Sequence, residues 1–258
     1  MTSWAALDDE LNRWRDMGRA AGLWWRDDDA ICATASLDRL LALNRRWAVP
    51  LSLCVIPGLA DKSLAAAVDG RPDVAVLQHG FRHINHAGAG EKKSELGAHR
   101  PIGRVMDELD QGRGLMESLF GGNGLPVLAP PWNRINDAVV ASLPGVGFAG
   151  ISGFRARNNR RAAPGLIRVN THVDIIDWPG VRGYRGDRRV LGDLCCHLAA
   201  RRSGAVDATE PTGLLTHHLD HDEACWEFIE TLLERTTQGA EGLWQSGDEI
   251  FARPAGLQ

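Results

Sequence analysis

The segment Gly22–Ala30 reads GLWWRDDDA, so that a short apolar run leads directly into an arginine and three aspartates. Similar apolar runs, bounded by turn residues and mostly separated by helical patterns, recur along the chain. They begin near Leu23, Leu51, Val74, Val127, Phe148, Ile167 and Leu214. Alternating strands and helices are typical of a parallel α/β sheet. No glycine-rich phosphate loop follows the first run, so the sequence does not support a dinucleotide-binding fold.

Polar clusters follow five of these runs at the point where each predicted strand ends. They read RDDD at 26–29, QHGFRH at 78–83, APPWN at 129–133, DIIDW at 174–178 and THHLDHD at 216–222. In α/β barrels the chemistry lies at the carboxyl ends of the strands. Five clusters converge there only if the sheet closes or nearly closes, so we predict a (β/α) barrel.

Composition limits the class of protein. The chain has 258 residues, of which 44% are hydrophobic and 24% charged, which excludes a disordered or collagen-like chain. We expect one domain over 1–258, with a motif-bearing core at about 22–236. The net charge of -4 gives no global basic field, so a nucleic-acid partner is disfavoured. We expect no transmembrane segment, no signal peptide and a cytoplasmic location with free cysteine thiols.

Histidines cluster in two windows, since six of the nine lie within 79–86 and 217–221. Imidazole is a common ligand of transition metals, although loop histidines can also serve only as hydrogen-bonding groups. The three carboxylates of Asp27, Asp28 and Asp29 repel one another unless a cation is close, although they could also form a solvated turn. One carboxylate with two imidazoles leaves open positions on a divalent ion, and a second carboxylate can take a proton from water.

The five clusters match, in order, the motifs of a known family. The chain resembles the polysaccharide deacetylases of carbohydrate esterase family four, typified by nodulation-factor and chitin deacetylases. WRDDD corresponds to the family's strand-T-F-D-D-G motif, and His79-Gly80-Phe81-Arg82-His83 to H-[ST]-x-x-H, with glycine in place of the hydroxyl residue. Residues 129–132, APPW, correspond to R-P-P-[YW], residues 174–178 to D-x-x-D-W, and residues 215–217 to L-x-H.

This resemblance implies a distorted seven-stranded (β/α) barrel and metal-dependent removal of an acetyl group from an N- or O-acetylated sugar or glycoconjugate. It implies a divalent ion on Asp28, His79 and His83, with zinc favoured and Co, Ni, Mn or Fe as alternatives. The remaining roles follow from the same match. They are Asp27 as base, His217 as the acid for the leaving amine, Asp174 as the partner that orients His217, the backbone N–H of Trp132 as oxyanion donor, and Pro131, Trp132 and Trp178 as substrate-binding residues.

Two departures from the family pattern leave alternatives open. Ala129 stands where relatives carry an arginine that pairs with the base, and Arg26, Arg82 or Arg134 could supply that cation from another position. The aspartate triplet also permits a register shifted by one residue, with Asp28 as base and Asp29 as ligand. We favour the first register because aspartate tolerates the motif's glycine position.

The remaining histidines and arginines allow only less specific interpretations. His86, His218 and His221 are interpreted as hydrogen-bonding residues, with a ligand pair of His83 and His86 as the alternative. Arginines between 155 and 189 would favour an anionic substrate if their loop covered the strand ends. Two other functions stay open: a catalytically silent relative that binds a saccharide or metal, and a metal-dependent amidase acting on a non-sugar amide.

Overall fold

This computed structural model describes residues 3–238 and 243–252, which contain nine strands and eight α-helices. The strands are β1 Leu23–Ala30, β2 Leu51–Val55, β3 Val74–His79, β4 Gly124–Ala129, β5 Gly150–Ile151, β6 Arg161–Ala163, β7 Leu166–Arg168, β8 Val173–Asp174 and β9 Thr212–Thr216. The helices are α1 Trp4–Asp16, α2 Ala35–Trp47, α3 Lys62–Val68, α4 Ile102–Phe120, α5 Asp137–Ser142, α6 Asp187–Ser203, α7 Glu223–Thr237 and α8 Gly247–Phe251.

Side-chain caps set where several helices begin. The hydroxyl of Thr34 accepts a hydrogen bond from Leu37 N–H at the start of α2, and Asp222 accepts one from Cys225 N–H at the start of α7. Such caps satisfy backbone donors that have no partner inside the helix. They end the loops that follow β1 and β9, and so limit how far the polar clusters on those loops extend.

The sheet has the strand order β6-β7-β5-β4-β3-β2-β1-β9-β8. Every neighbouring pair is parallel except β6 with β7. The strands β7 and β8 lie in one extended stretch, 166–174, whose first part pairs with β5 and whose last part pairs with β9. Between these parts, Thr171 N–H donates to Gly153 O and His172 N–H donates to Gly213 O.

Seven strand positions therefore follow one another around a ring: β1, β2, β3, β4, β5, the stretch 166–174 and β9. The hydrogen bonding is interrupted along 166–174, which makes the barrel distorted. The predicted seven-stranded (β/α) barrel is confirmed. Because the strands are parallel, the loops that follow them meet at one rim, and the five polar clusters lie on those loops.

Side chains alternate between the barrel interior and the layer under the helices, as the period of a strand requires. An inner cluster contains Trp24, Leu77, Val127, Val169 and Phe251 among others. A larger outer cluster packs the strands against the helices. Helix α8 fills the amino-terminal end of the barrel, where the ring of Phe251 meets that of Trp24 edge-on at 6.1 Å.

The same alternation divides the charged residues of β1. Trp24, Arg26 and Asp28 lie on the inner face, whereas Trp25 and Asp27 face outward toward the helices. Trp25 belongs to the outer cluster, and its Nε1 donates to the hydroxyl of Thr216. Adjacent aspartates of the triplet therefore occupy different environments.

None of the helices in the described ranges is long and apolar enough to cross a membrane. All five cysteines are free thiols.

Replacing Phe251 by alanine should remove the aromatic ring that fills the amino-terminal end of the barrel. Phe251 is only 8% exposed, so we expect a loss of about 3–5 kcal/mol in the free energy of unfolding. Urea denaturation followed by circular dichroism measures this. Met17→Ala, at a side chain that is 50% exposed, is the control and should change the free energy by no more than about 0.5 kcal/mol. Equal effects of the two substitutions would contradict the proposed packing of α8.

Candidate active site

A cleft of about 630 Å³ opens at the carboxyl ends of the strands. Seven of the residues predicted for the site line it, and two do not, namely Asp27 and Pro131. The lining residues are Asp28, Asp29, His79, His83, Lys93, Trp132, Asn133, Arg134, Asp174, Trp178, Arg182, His217 and Asp220. The predicted convergence of the strand-end clusters is therefore seen in the structure.

Asp29, His79 and His83 form a three-residue cluster in this cleft. The carboxylate oxygen Oδ1 of Asp29 lies 3.1 Å from Nε2 of His79 and 3.4 Å from Nε2 of His83. Two ligands placed at about 2.1 Å from a Zn²⁺ ion and roughly 100° apart lie about 3.2 Å from each other. The spacing of the three atoms therefore fits a shared divalent ion.

The hydrogen bond on the far side of His79 determines which ring nitrogen is free. Nδ1 of His79 lies 3.0 Å from the carbonyl oxygen of Ala129, which can only accept, so the proton belongs on Nδ1. The lone pair of Nε2 then faces Oδ1 of Asp29, a buried oxygen with no hydrogen-bond donor among the described residues. Two facing acceptors require a proton or a cation between them. A carbonyl behind a ligating imidazole is also the usual arrangement at metal sites.

The electrostatics of this cluster favour positive charge. Burial by itself lowers the pKa of His79, but Asp28 and Asp29 raise it above its ordinary value. Burial would likewise raise the pKa of Asp29, yet the neighbouring imidazoles hold it well below its usual range. Asp29 therefore stays ionised, and the site attracts a cation.

Two of the three cluster residues have left-handed backbone conformations. The φ angle is 73° at Asp29 and 56° at His83, a region that residues other than glycine adopt rarely. At Asp29 the register between β1 and β2 also shifts, between Asp27 and Ala30. This irregularity turns the third carboxylate of the triplet into the cleft. Strained backbone of this kind concentrates at functional sites.

A buried carboxylate supports the loop that carries His83. The Glu95 carboxylate accepts hydrogen bonds from the backbone N–H groups of Phe81 and Arg82, at 3.1 Å and 2.8 Å. Gly80 has a φ of 59°, and a Cβ atom there would lie 2.0 Å from Oε2 of Glu95 and 2.5 Å from Cγ of Pro131. The backbone conformation, the Pro131 ring and Glu95 together explain the glycine that departs from the H-[ST]-x-x-H pattern.

Arg26 forms a buried ion pair with Asp28. Its Nε and one terminal nitrogen donate to the two oxygens of Asp28 at 2.9 Å and 2.8 Å. The other donors reach Ser152, Gly153 and Asn133. Burial would raise the pKa of Asp28, but the charge of Arg26 keeps it below its ordinary value. Of the three arginines considered as replacements for the one absent at position 129, Arg26 is the one that pairs with a carboxylate of the triplet.

His217 lines the same cleft as Asp29, His79 and His83, with Nε2 4.0 Å from Oδ2 of Asp28. The ring of Trp178 meets the His217 imidazole edge-on at 4.7 Å, and Nε1 of Trp178 donates to Asp174. Asp174 also accepts from Ile176 N–H, and burial raises its pKa. Among the described residues, the side chain that donates to the Asp174 carboxylate is that of Trp178 and not that of His217, while Arg185 donates to the Asp174 backbone carbonyl. Asp174 can thus act on His217 in two ways. Its negative charge attracts the imidazolium form, and its hydrogen bond holds the Trp178 ring that packs against His217.

Asp27 lies outside the cleft and is fully buried. Its carboxylate accepts hydrogen bonds from the hydroxyl of Thr216 and from the backbone N–H of His218, and it pairs with the His218 imidazole. Burial lowers the pKa of His218, but Asp27 raises it above its ordinary value. The geometry thus favours the shifted register, in which Asp28 and Asp29 are the residues with access to the cleft.

The other histidines of the two windows have separate partners. Nε2 of His221 accepts a hydrogen bond from His217 N–H, and its ring contacts Trp226 edge-on. His86 does not line the cleft, and the ligand cluster pairs His83 with His79. The hydrogen-bonding interpretation therefore suits His218 and His221, and the structure gives no support to a pair of His83 and His86.

Two further groups of potential ligands among the described residues fit a metal less well. In the group of His172, His197 and Glu210, the backbone N–H of Gly213 donates to Nδ1 of His172. The proton of neutral His172 is then on Nε2, 3.4 Å from Glu210, so that nitrogen has no lone pair for a metal.

The other group combines Asp28 and His79 with Cys54. Asp28 is occupied by Arg26, and burial raises the pKa of the Cys54 thiol well above its ordinary value. A protonated thiol is a poor ligand. The cluster of Asp29, His79 and His83 is therefore the best candidate metal centre.

No protein-family model and no curated protein sequence matches the chain. Solved structures do match it along most of its length. A family 4 carbohydrate esterase from Streptococcus mutans superposes with a TM-score of 0.58 at 9% identity, over 92% of this chain and 89% of that one. The peptidoglycan deacetylase PdaC from Bacillus subtilis superposes with a TM-score of 0.56 at 11% identity, over 90% of both chains.

A family 4 acetyl xylan esterase from Clostridium thermocellum, solved with a cobalt ion, gives a TM-score of 0.51 at 13% identity over 89% of both chains. The chain has the fold of the family 4 carbohydrate esterases. The resemblance seen in the motifs is thus confirmed at the level of fold.

Within this esterase fold, the signal that identifies Arg26 is the alternation of β1. Arg26 and Asp28 are two residues apart and so share the inner face, whereas Asp27 does not. This alternation is visible in the sequence alone. Glu95 gave no comparable signal, because it lies 12 residues beyond His83 in a loop without regular structure.

Replacing Arg26 by methionine should leave the Asp28 carboxylate buried without a counter-charge. Removing one partner of a buried ion pair typically costs about 3–5 kcal/mol, and we expect a loss of this size in the free energy of unfolding at pH 7. Denaturation of chelator-treated protein measures it. Arg160→Met, at an exposed arginine, is the control and should change the free energy by no more than about 0.5 kcal/mol. A loss below about 1 kcal/mol for Arg26→Met would contradict the buried pair.

Proposed function

We propose that this protein is a metal-dependent deacetylase that hydrolyses an acetyl group from an N- or O-acetylated sugar or glycoconjugate. The observation that supports it best is the convergence in one cleft of Oδ1 of Asp29 with Nε2 of His79 at 3.1 Å and with Nε2 of His83 at 3.4 Å. The fold shared with family 4 carbohydrate esterases supports the reaction class.

We assign the divalent ion to Asp29, His79 and His83, one residue along the triplet from the set that the motif match favours. A bound divalent ion supplies Lewis-acid chemistry, because it polarises a carbonyl and lowers the pKa of neighbouring water. Zinc suits one carboxylate with two imidazoles, and Co, Ni, Mn or Fe remain alternatives. The cobalt ion in the acetyl xylan esterase structure agrees with a site of this class.

Asp28 is the proposed general base. Its carboxylate lines the cleft beside the ligand cluster, and Arg26 keeps it ionised and fixed in orientation. A base must be ionised before it can take a proton from the attacking water. Asp28 then holds that proton while the tetrahedral centre forms. Arg26 thereby performs the task that the arginine of R-P-P-[YW] performs in the resembled family.

His217 is the proposed acid that protonates the leaving group. Its Nε2 lies 4.0 Å from the proposed base, and the edge-on contact with Trp178 restricts the plane of its ring. The backbone N–H of Trp132 is the proposed donor to the oxyanion. Trp132 has a left-handed φ of 54° behind two prolines, and its ring contacts that of His83 at 4.2 Å. A preorganised donor at this position stabilises the developing charge without later rearrangement.

The alternative of a catalytically silent binding protein rested on the alanine at position 129. Because Arg26 supplies a counter-charge to the candidate base, that departure no longer argues against turnover. No feature of the described residues favours a non-sugar amide, so the amidase alternative is an outcome of the substrate screen below.

The assignment of Asp28 predicts a specific pair of variants. With zinc-loaded protein, Asp28→Asn should lower kcat by about 10²–10⁴-fold and leave the metal content unchanged, since removing a general base has this effect. Asp27→Asn should retain turnover in the folded protein, because Asp27 lies outside the cleft. Acetate release is measured over acetylated xylan, chitin oligosaccharides, peptidoglycan fragments and simple acylamides, with zinc quantified by elemental analysis.

Loss of turnover in Asp27→Asn with turnover kept in Asp28→Asn would restore the original register and contradict this assignment. Release from acylamides but not from sugars would favour the amidase. Wild-type protein that binds zinc and releases no acetate from any compound would favour a binding protein.

A further inference from the structure

Three cations line the wall of the cleft: Lys93, Arg134 and Arg182. They come from the loops that follow β3, β4 and β8, so the fold brings them together from distant parts of the sequence. The arginines for which an anionic substrate was first considered lie elsewhere. Arg160 and Arg161 do not line the cleft, and Arg157 is buried against Asp207 and Thr209.

Most of the charge in the cleft is locally balanced. Arg26 pairs with Asp28, and Arg182 lies 3.9 Å from Asp220. Asp29 faces the imidazoles of the ligand cluster.

Lys93 and Arg134 have no such counter-charge. Within the described ranges, no carboxylate lies within ion-pair distance of either one. Two positive charges are therefore uncompensated on one wall.

A hydrogen bond also links the two residues that carry these charges. Nη1 of Arg134 donates to the backbone carbonyl of Lys93 at 2.8 Å. The guanidinium therefore lies against the main chain that carries the ammonium group. An anion in the cleft would therefore meet two positive charges that no carboxylate of the described residues neutralises. Guanidinium and ammonium groups together are well suited to phosphate or carboxylate oxygens.

We propose that Lys93 and Arg134 form an anion subsite that binds a phosphate or carboxylate group carried by the acylated sugar. The inference rests on the proposed deacetylase function and narrows its substrate class to anionic sugars. The subsite lies on the wall of the same cleft as Asp29, His79 and His83, so one ligand can occupy both regions.

The test compares matched substrates with the zinc-loaded protein. The compounds are N-acetylglucosamine as the neutral sugar, N-acetylglucosamine 6-phosphate as the phosphate arm and N-acetylmuramic acid as the carboxylate arm. We expect kcat/KM for at least one anionic compound to exceed that for the neutral one by about tenfold or more, since charge-assisted hydrogen bonds have this magnitude. Lys93→Gln and Arg134→Gln should each reduce that ratio about tenfold, whereas Lys92→Gln, at the neighbouring exposed lysine outside the cleft, should keep it.

A wild-type ratio near one, or a ratio unchanged in both glutamine variants, would overturn the subsite. If no compound is hydrolysed, the proposed function fails in this assay, and titration calorimetry then tests the subsite independently. The wild type should bind glucosamine 6-phosphate or muramic acid more tightly than glucosamine, and both variants should lose that preference. Equal binding by the wild type would refute the subsite, and a preference retained in both variants would place the anion on the metal or elsewhere and refute it as well.

Discussion

The guanidinium of Arg26 lies inside the barrel with no exposed surface, and the cleft depends on how that charge is neutralised. A buried arginine is tolerated only if a counter-charge and acceptors for all its donors are present. Asp28 supplies the charge, while Asn133 and the carbonyls of Ser152 and Gly153 supply the remaining acceptors. The loops after β4 and β5 are thereby tied to β1 at the level of the cleft. The carboxylate that results is ionised and oriented, and it lines the cleft although Asp28 is only 2% exposed, which suits the general base proposed for it.

The same strand supplies a second carboxylate with a different task. The register shift after Asp27 and the left-handed backbone of Asp29 turn its side chain toward His79 and His83. Glu95 fixes the loop before His83 by accepting two backbone hydrogen bonds, and Gly80 leaves room for it. Three consecutive aspartates thus have three environments: one outside the barrel against a histidine, one paired with arginine and one in a cation-attracting cluster.

The fold and the set of converging loops could be predicted from the sequence, because strand-helix alternation and polar strand ends are strong patterns. It is harder to predict which of Asp27, Asp28 and Asp29 is the base and which is the metal ligand. A motif fixes which residue types are present, but three identical neighbours can be aligned in more than one register. The alternation of Trp24, Arg26 and Asp28 on one face does separate them, and it is a physical signal independent of the motif. The contribution of Glu95 depends on a long-range contact, which no local pattern reveals.

The central claim is that a divalent ion binds between Asp29, His79 and His83, and anomalous diffraction tests it most directly. Crystals grown with added Zn²⁺ are measured on both sides of the zinc absorption edge. We expect one strong anomalous peak within coordination distance of Oδ1 of Asp29 and of Nε2 of both histidines, with Arg26 still paired to Asp28. A peak at His172 and Glu210, a peak on Asp28 in place of Asp29, or no peak at all would contradict it.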